Sequence, residues 1–423
     1  MNAARIIQTS LNQRSRMKIL MVSSTFPYPP IQGKTQMRTF SLLKYLNKRH
    51  DLTLVTQFPE QIIEEDINSL RQQIENCIIF PSVSREANSS GFLNKAKQFG
   101  VFFQQGTPPR FLSHYSLKIQ EFLDQAIDSG EFDLLTCEGS SNEIYVRPQW
   151  REKLPTLINI HRSVWGTYKH HTETQVTESG LRNQINLPLL RRYEKQYCGK
   201  FLSVVTTSKT EQKLLKDLKL ETPVTLIPNG LDLSSFPKRT INQGGQRVVF
   251  IGAMDKPGNI NAARFFSLEV FPKLRKRYPE ATLELVGICP TPEVKELGQI
   301  PGITVTGQVP SVIEHLHWAT VCVIPIYKST GTKIRSLQTL ATGTPLVASD
   351  YGLEGLPIDG TGVPLSAMRA NGVDEYVYAI GRLFEQPKLR EKLSINGRAL
   401  IEKEYTWELT GERYEKLLAS LIS

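Results

Sequence analysis

The chain has 423 residues, 40% hydrophobic and 22% charged, with 51 Lys/Arg against 41 Asp/Glu and a net charge of +10. That length suits two or three globular domains, and the composition excludes a disordered, collagenous or disulfide-stapled chain. No run approaches the roughly 18–20 apolar residues that span a bilayer. Cys77, Cys137, Cys198, Cys289 and Cys322 are scattered without a Cys-x-x-Cys, which argues against zinc and for a reducing compartment.

Residues 1–16 form a basic extension with Arg5, Arg14 and Arg16 but no apolar core of a signal peptide, and translation could equally begin at Met17. The first 50 residues hold nine Lys/Arg and no acid, and residues 87–120 hold Lys95, Lys97, Arg110 and Lys118, again without acid. Such asymmetry suits either a solvated basic face or attraction to phosphates of nucleotides, nucleic acid or anionic lipid.

"MKILMVSS" (17–24) reads as a buried parallel strand, "TFPYPPIQGKTQ" as a loop, "MRTFSLLKYLNKRH" as a helix and "DLTLVTQF" as the next strand. Further strands are expected at 132–138, 155–161 and 203–208, with "VTLIPNGLD" (224–232) ending this half. The polar "PKRTINQGGQ" (237–246) reads as a linker. The pattern then restarts with "RVVFIGAM", a helix over "NINAARFFSLEVFPKLRKRYP", and strands at "ATLELVGI", "ITVTGQV", "VCVIPI" and "TPLVASD". Strand and helix alternating in this way predict two doubly wound α/β domains of parallel sheets, with ligands bound at the carboxyl ends of the strands. The loop "STGTKIRSLQTLATGTP" (329–345) follows "VCVIPI", so it belongs on that rim. Its Lys333 and Arg335, set among small residues at a helix start, suit an anion seat.

"FIGAMDKPGNINAARFF", "LELVGICP", "LIPNGLD" and "VTGQVPSVIEHLHWATVCVIPIYKSTGTKIRSLQTLATGTPLVASDYGLEGL" resemble glycosyltransferase family 4, as does the N-terminal "PYPPIQGKTQMRTFSLLKYLNKRHDLTLVT". The likeness runs from about Met17 to Leu417, is strongest over 248–357, and is closest in feel to bacterial sugar transferases. It implies the GT-B fold: an N-terminal Rossmann-like acceptor domain over 17–236 and a nucleotide-sugar domain over 247–404, facing across a cleft. A last helix over 405–423 would cross back to the first domain. It also implies sugar transfer with retention, a nucleotide-sugar (UDP-sugar) as co-substrate, and no metal or other cofactor.

By this resemblance Lys333, Arg335 and His161 carry the chemistry. Without a metal, cations and N–H groups must stabilise the departing diphosphate. Gly33, Lys34, Gly252, Thr330, Gly331, Thr332 and Gln338 would hold the donor, and Glu138 and Arg38 the acceptor. The chain departs from the family's pattern. Its Glu-x7-Glu falls on Thr330 and Gln338, and the Arg and Lys usual after the first strand of the second domain fall on Ala253 and Asn259. Lys256 is offset from those positions. Gln338 can accept from ribose hydroxyls only through a neutral oxygen.

For the acceptor, "GFLNKAKQFGVFFQQGTPPRFLSHYSLK" (91–118) is basic and aromatic, with Leu93, Ala96, Phe99 and Phe103 near one helical face. It reads either as a helix packed on the core or as an interfacial helix on anionic membrane. The second reading favours a membrane lipid or lipid-linked saccharide acceptor, as in glycolipid synthesis, and a cytoplasmic protein peripheral to a membrane's inner face. Exopolysaccharide or soluble-saccharide transfer, a sugar-nucleotide epimerase and an inactive family member are the alternatives. No nucleic-acid recognition motif is present.

Overall fold

The structure is a computed structural model that describes residues 16–30, 33–59, 61–82, 107–108, 115–173, 180–327 and 334–423. Residues 91–106 and most of the basic stretch around them, like residues 1–15 and 328–333, lie outside this set.

The described residues divide into two compact units. Unit 1 takes the chain up to Thr207, together with Glu211–Ile227 and Thr410–Ser423. Its first strand, β1 (Lys18–Ser23), is buried at every position after Lys18, as a central parallel strand must be when helices cover both faces. Helix α1 (Lys34–Asn47) returns the chain to β2 (Asp51–Phe58), and β3 (Asn76–Pro81), β4 (Leu134–Glu138) and β5 (Thr156–Ile160) follow. Helices α2 (Val164–Glu173) and α3 (Gly180–Cys198) lead to β6 (Ser203–Thr206), and α4 (Lys209–Asp217) to β7 (Val224–Leu226). All seven strands run parallel in the order β3-β2-β1-β4-β5-β6-β7. The period of two along β1 divides its side chains between two cores: Leu20 and Val22 enter one, Ile19 and Met21 the other.

Unit 2 takes Ser208–Thr210 and Pro228–Leu409. β8 (Arg247–Ile251), α5 (Pro257–Phe265), β9 (Thr282–Val286), β10 (Ile303–Gly307), β11 (Val321–Ile324), α6 (Ile334–Ala341), β12 (Leu346–Ala348) and β13 (Met368–Arg369) build a parallel sheet in the order β10-β9-β8-β11-β12-β13. The single helix expected over 259–279 is α-helical at both ends with a π turn at Phe266–Val270.

The linker expected at 237–246 is not a free connection. The division between units falls at Ile227/Pro228, and the polar stretch, mostly exposed, is grouped with unit 2. Arg239 is buried there and donates to Ala319 O at 2.9 Å, while Asn242 accepts from Arg390 at 3.1 Å. Polar composition marked this stretch as a linker, and within it Arg239 alone is turned inward, onto a buried carbonyl.

The last helix, α7 (Trp407–Ile422), contributes its residues from Thr410 onward to unit 1. Tyr414 and Leu418 join the same core as Ile19 and Met21. Gly411 lets α7 approach α1, since a Cβ there would lie 2.2 Å from a ring carbon of Tyr45. Tyr45 Oη and His50 Nε2 each meet a different carboxylate oxygen of Glu415, at 2.9 and 3.1 Å.

Candidate active site

Each sheet reverses its strand order beside its first strand, so the loops after β1 and β4, and those after β8 and β11, diverge at the carboxyl edge. Open α/β sheets take ligands at such a reversal. Of the residues singled out from sequence, Gly252, Arg335, Glu138 and His161 belong to strand ends or helix starts beside these reversals.

In unit 2, Gly252 directly follows β8. A Cβ on Gly287, after β9, would overlap Gly252 O at 1.6 Å, so the two strand ends meet backbone to backbone. Arg335, in the first turn of α6 after β11, reaches across the reversal to the same place. A Cβ on Gly252 would stand 2.9 Å from Arg335 Nη1. Nη1 donates to Asn259 Oδ1 at 2.7 Å, and Asn259 Nδ2 donates to Ala253 O at 2.6 Å. Burial pushes the Arg335 pKa down and no carboxylate pulls it back up. A guanidinium stays protonated regardless, so this edge carries a half-buried positive charge with no acid neutralising it among the described residues.

Gln338 lies one turn further along α6, on the face that Arg335 occupies. Thr330, Gly331, Thr332 and Lys333 lie outside the described residues. Asn259 was read from sequence only as a departure from the family's cation. Here it is the group that holds Arg335 in place, a role whose only sequence signal is an amide one turn into the helix after a strand-Gly.

In unit 1, β4 ends in Glu138 and β5 is followed by His161. The loop after β1 is tied to the loop after β4, with Ser24 N donating to Asn142 Oδ1 at 2.7 Å. Arg38, on α1, is fully buried and donates through Nη2 to Asn159 Oδ1 at 3.3 Å. Asn159 Nδ2 donates to Glu138 Oε1 at 2.6 Å and to Tyr414 Oη at 2.7 Å. Tyr414 Oη also lies 2.5 Å from Thr136 Oγ1 and donates to Glu138 Oε1 at 3.2 Å.

Burial pushes the Glu138 carboxyl up, against Arg38, Asn159, Tyr414 and Thr136, which pull it down. Glu138 and Arg38 were expected at an acceptor, but at 1% and 0% exposure they lie beneath the edge. Among the described residues, their hydrogen bonds join β4, β5, α1 and α7. Gly33 precedes α1, and Lys34 is the first residue of that helix.

The network is not fully satisfied: Glu138 Oε2 is buried without a hydrogen-bond partner among the described residues, and His161 is another such case. Its Nε2 is closed off from solvent and has no hydrogen-bond partner among the described residues. Burial, with the Arg38 charge behind it, pushes its pKa down to about 3, so the ring is neutral at ordinary pH. Gly139, at φ +99°, lies against it, and a Cβ there would come 3.9 Å from His161 Cδ2. A neutral imidazole with an unused nitrogen can hydrogen-bond a sugar hydroxyl in either sense, depending on its tautomer.

Among the described residues no group of His, Cys, Asp or Glu could hold a metal ion, and no helix is long and apolar enough to cross a membrane.

Known proteins resemble this chain. The family described as Glycosyltransferase Family 4 matches residues 35–235, and the one described as Glycosyl transferases group 1 matches residues 245–386. The MMP alpha-(1->4)-mannosyltransferase of Mycolicibacterium hassiacum is 22% identical over 296 residues, 64% of this chain and 67% of that protein. Among solved structures, Anabaena HepE in complex with UDP is 13% identical with a TM-score of 0.64, covering 96% of this chain and all of that one. Sucrose-phosphate synthase from Thermosynechococcus elongatus is 18% identical with a TM-score of 0.63, over 96% of this chain and 99% of that one. TarM is 10% identical with a TM-score of 0.65, over 95% and 98%. These structures share the GT-B fold with its two parallel sheets. The chain is a member of the group 1/family 4 glycosyltransferases.

Proposed function

We propose that the protein transfers a hexosyl group, with retention, from a UDP-sugar to a lipid-linked saccharide or membrane lipid. The observation that carries the donor half is the Arg335 guanidinium, held by Asn259 over Gly252 where the strand order of unit 2 reverses. A diphosphate set at this edge meets a fixed positive charge in a partly dry place, where such a charge is worth more than in water. The use of UDP is supported by HepE, whose structures hold UDP and UDP-glucose.

In the step proposed, the bond from sugar C1 to the diphosphate oxygen breaks and a bond from C1 to the acceptor oxygen forms. The acceptor's hydroxyl proton passes to the leaving phosphate. Arg335, with Lys333 and the start of α6, stabilises the charge that grows on the diphosphate. Gln338 accepts from the ribose, and His161 offers its unused nitrogen to a saccharide hydroxyl. Glu138 and Arg38 act from below, fixing β4, β5 and α1 beneath that edge. The basic stretches at 1–16 and 87–120 supply attraction to an anionic surface, which favours a lipid-borne acceptor.

The test is a thermal-shift screen of UDP-, GDP- and ADP-sugars, followed by mass spectrometry of products formed with lipid extracts. GDP-mannose belongs in it because a relative is a mannosyltransferase. The expected result is a shift with a UDP-hexose, lost in Arg335→Ala, and a hexosylated lipid or lipid-linked product. Conversion of the sugar nucleotide to an isomer without acceptor would make the protein an epimerase instead.

A further inference from the structure

A second concave feature lies in unit 1, along two of its helices. It is a groove of about 1110 Å³ bounded by α2, α3 and the segment after α4. Arg151 precedes β5, Gly199 precedes β6 and Lys219–Thr222 precede β7. In a parallel sheet these positions define the amino edge, while Trp165, Lys169 and Thr172 lie on α2, which begins soon after His161, so the groove runs along the helices from α2 to the amino edge.

Its charge is one-sided. Arg151, Lys169, Arg191, Arg192, Lys195 and Lys219 line it against one carboxylate, Glu221. Arg191, Arg192 and Lys195 project from the exposed face of α3, while the helix's one acid, Glu194, is turned inward and fully buried. Glu194 spends its oxygens on Ser163, Val164, Trp165 and Tyr197 and offers nothing to these cations. Arg151, Arg191, Arg192, Lys195 and Lys219 form no ion pair among the described residues. Lys219 holds its place with φ +53°, a left-handed conformation that Gly or Asn adopts more easily, so a charge stands where the backbone would favour a smaller residue. Below the cations is an apolar floor of Trp165, Leu218 and Leu220. Lys169 Nζ lies 5.1 Å and the Arg191 guanidinium carbon 5.9 Å from the Trp165 ring centroid.

We propose that this groove is a second binding site, for an acidic saccharide chain bearing carboxylate or phosphate groups. The cations match its acid groups and the apolar floor matches the CH faces of its rings. The groove exceeds the roughly 300–1,000 Å³ of an ordinary small-ligand pocket, which favours several linked units over a lone anion. Its recessed floor favours a chain that enters it over a flat bilayer. The choice of a saccharide rests on the transferase reading, whereas the groove's charge does not. A site that runs from α2 to the amino edge would grip the acceptor's distant part and leave its reacting end free.

The test is fluorescence anisotropy of a labelled short oligogalacturonide at low salt, with maltodextrin of the same length as the uncharged competitor. Wild type is expected to bind, more weakly as salt rises, with no competition from maltodextrin. Arg191→Glu/Arg192→Glu/Lys195→Glu is expected to weaken binding by about tenfold or more with an unchanged thermal midpoint, because all three side chains are exposed. Lys219→Gly removes a charge while easing the backbone, so it is expected to bind more weakly yet melt no earlier. Equal competition by maltodextrin, or wild-type affinity in both variants, overturns the proposal. So does binding to phosphatidylglycerol vesicles that the triple variant loses while oligogalacturonide is never bound, which would make the groove a membrane contact. Nucleotide-sugar thermal shifts on the same variants keep the two readings apart. A retained shift with lost oligosaccharide binding supports both, and a missing shift in wild type sinks the transferase reading alone.

Discussion

Arg335 donates to Asn259 Oδ1 at 2.7 Å, and this one bond joins the helix after β11 to the helix after β8. It brings the cation of a later loop to the strand end where the chain has Ala253 and Asn259 and no cation between them but Lys256. Lys256 pairs with its neighbour Asp255 at 2.7 Å and is exposed. The positive charge at this edge is therefore concentrated on Arg335 among the described residues.

Arg335→Ala is expected to lower turnover by about 2–4 kcal/mol of transition-state stabilisation while the fold survives. Arg335→Lys should restore little, because a single ammonium cannot hold Asn259 and meet a diphosphate with the same planar geometry. Asn259→Ala should fall between, since it frees the guanidinium without removing it. Steady-state rates for the three variants decide this, and rates near wild type in Arg335→Ala would remove it from the site.

Gly252→Ala tests position without touching charge. The added carbon would lie 2.9 Å from Arg335 Nη1 and 3.3 Å from Asn259 Nδ2, so the guanidinium must shift. The expected outcome is weaker UDP binding by calorimetry with a thermal midpoint close to wild type. A large drop in midpoint with unchanged affinity would show instead that Gly252 serves packing alone.

Gln338→Glu should strengthen binding of UDP, on the order of 1 kcal/mol or about fivefold, because a charged acceptor makes stronger hydrogen bonds to hydroxyls. The change lies on a half-exposed helix face, so stability should hold. Unchanged affinity would place Gln338 away from the ribose.

Much of this was legible in the sequence because central parallel strands are continuous apolar runs between turn residues. "MKILMV", "LINI" and "VCVI" could be read directly. β3 and β13 were not: β3 is only half-buried along "CIIF" and β13 is only Met368–Arg369. The strand ends gave Glu138, His161 and Arg335 their positions, but not their surroundings. That Glu138 lies under Tyr414, some 276 residues later, follows from α7 packing on unit 1, and periodicity within one segment carries no such information. Within the 237–246 stretch the inward turn of Arg239 was hidden for a related reason, since its carbonyl partner, Ala319, lies 80 residues later.

His161 should make stability depend on acid. The unfolded chain takes a proton on this ring near the ordinary histidine pKa of about 6.5, whereas the folded protein resists until about 3. Its contribution is therefore complete above pH 6.5 and is lost as pH falls from there toward 3. His161→Gln removes this dependence. Between pH 7.5 and pH 5, wild type should lose roughly 2 kcal/mol more than the variant in urea unfolding. Parallel losses in both proteins would mean that the ring titrates normally.

Tyr414→Phe should loosen α7 from unit 1. The hydroxyl is shared by Thr136, Asn159 and Glu138, all buried. Deleting it leaves Asn159 Nδ2 with Glu138 Oε1 as its one described acceptor for two N–H groups, and deprives Thr136 of its closest partner. Leaving such groups unsatisfied costs about 1–3 kcal/mol, more than the net worth of one hydrogen bond, because water does not replace the lost partner. The ring itself stays, so the packing with Leu418 and Ile19 is kept and the helix remains formed. The effect should therefore be local: faster amide hydrogen exchange across 410–423 and the adjoining ends of β4 and β5, with little change in β8–β12. Gly411→Ala provides the steric counterpart, since its Cβ would collide with the Tyr45 ring at 2.2 Å. It should raise exchange over the same helix by overpacking rather than by an unmet hydrogen bond. If α7 exchanges at the wild-type rate in both variants, this contact does not hold the helix to the first unit.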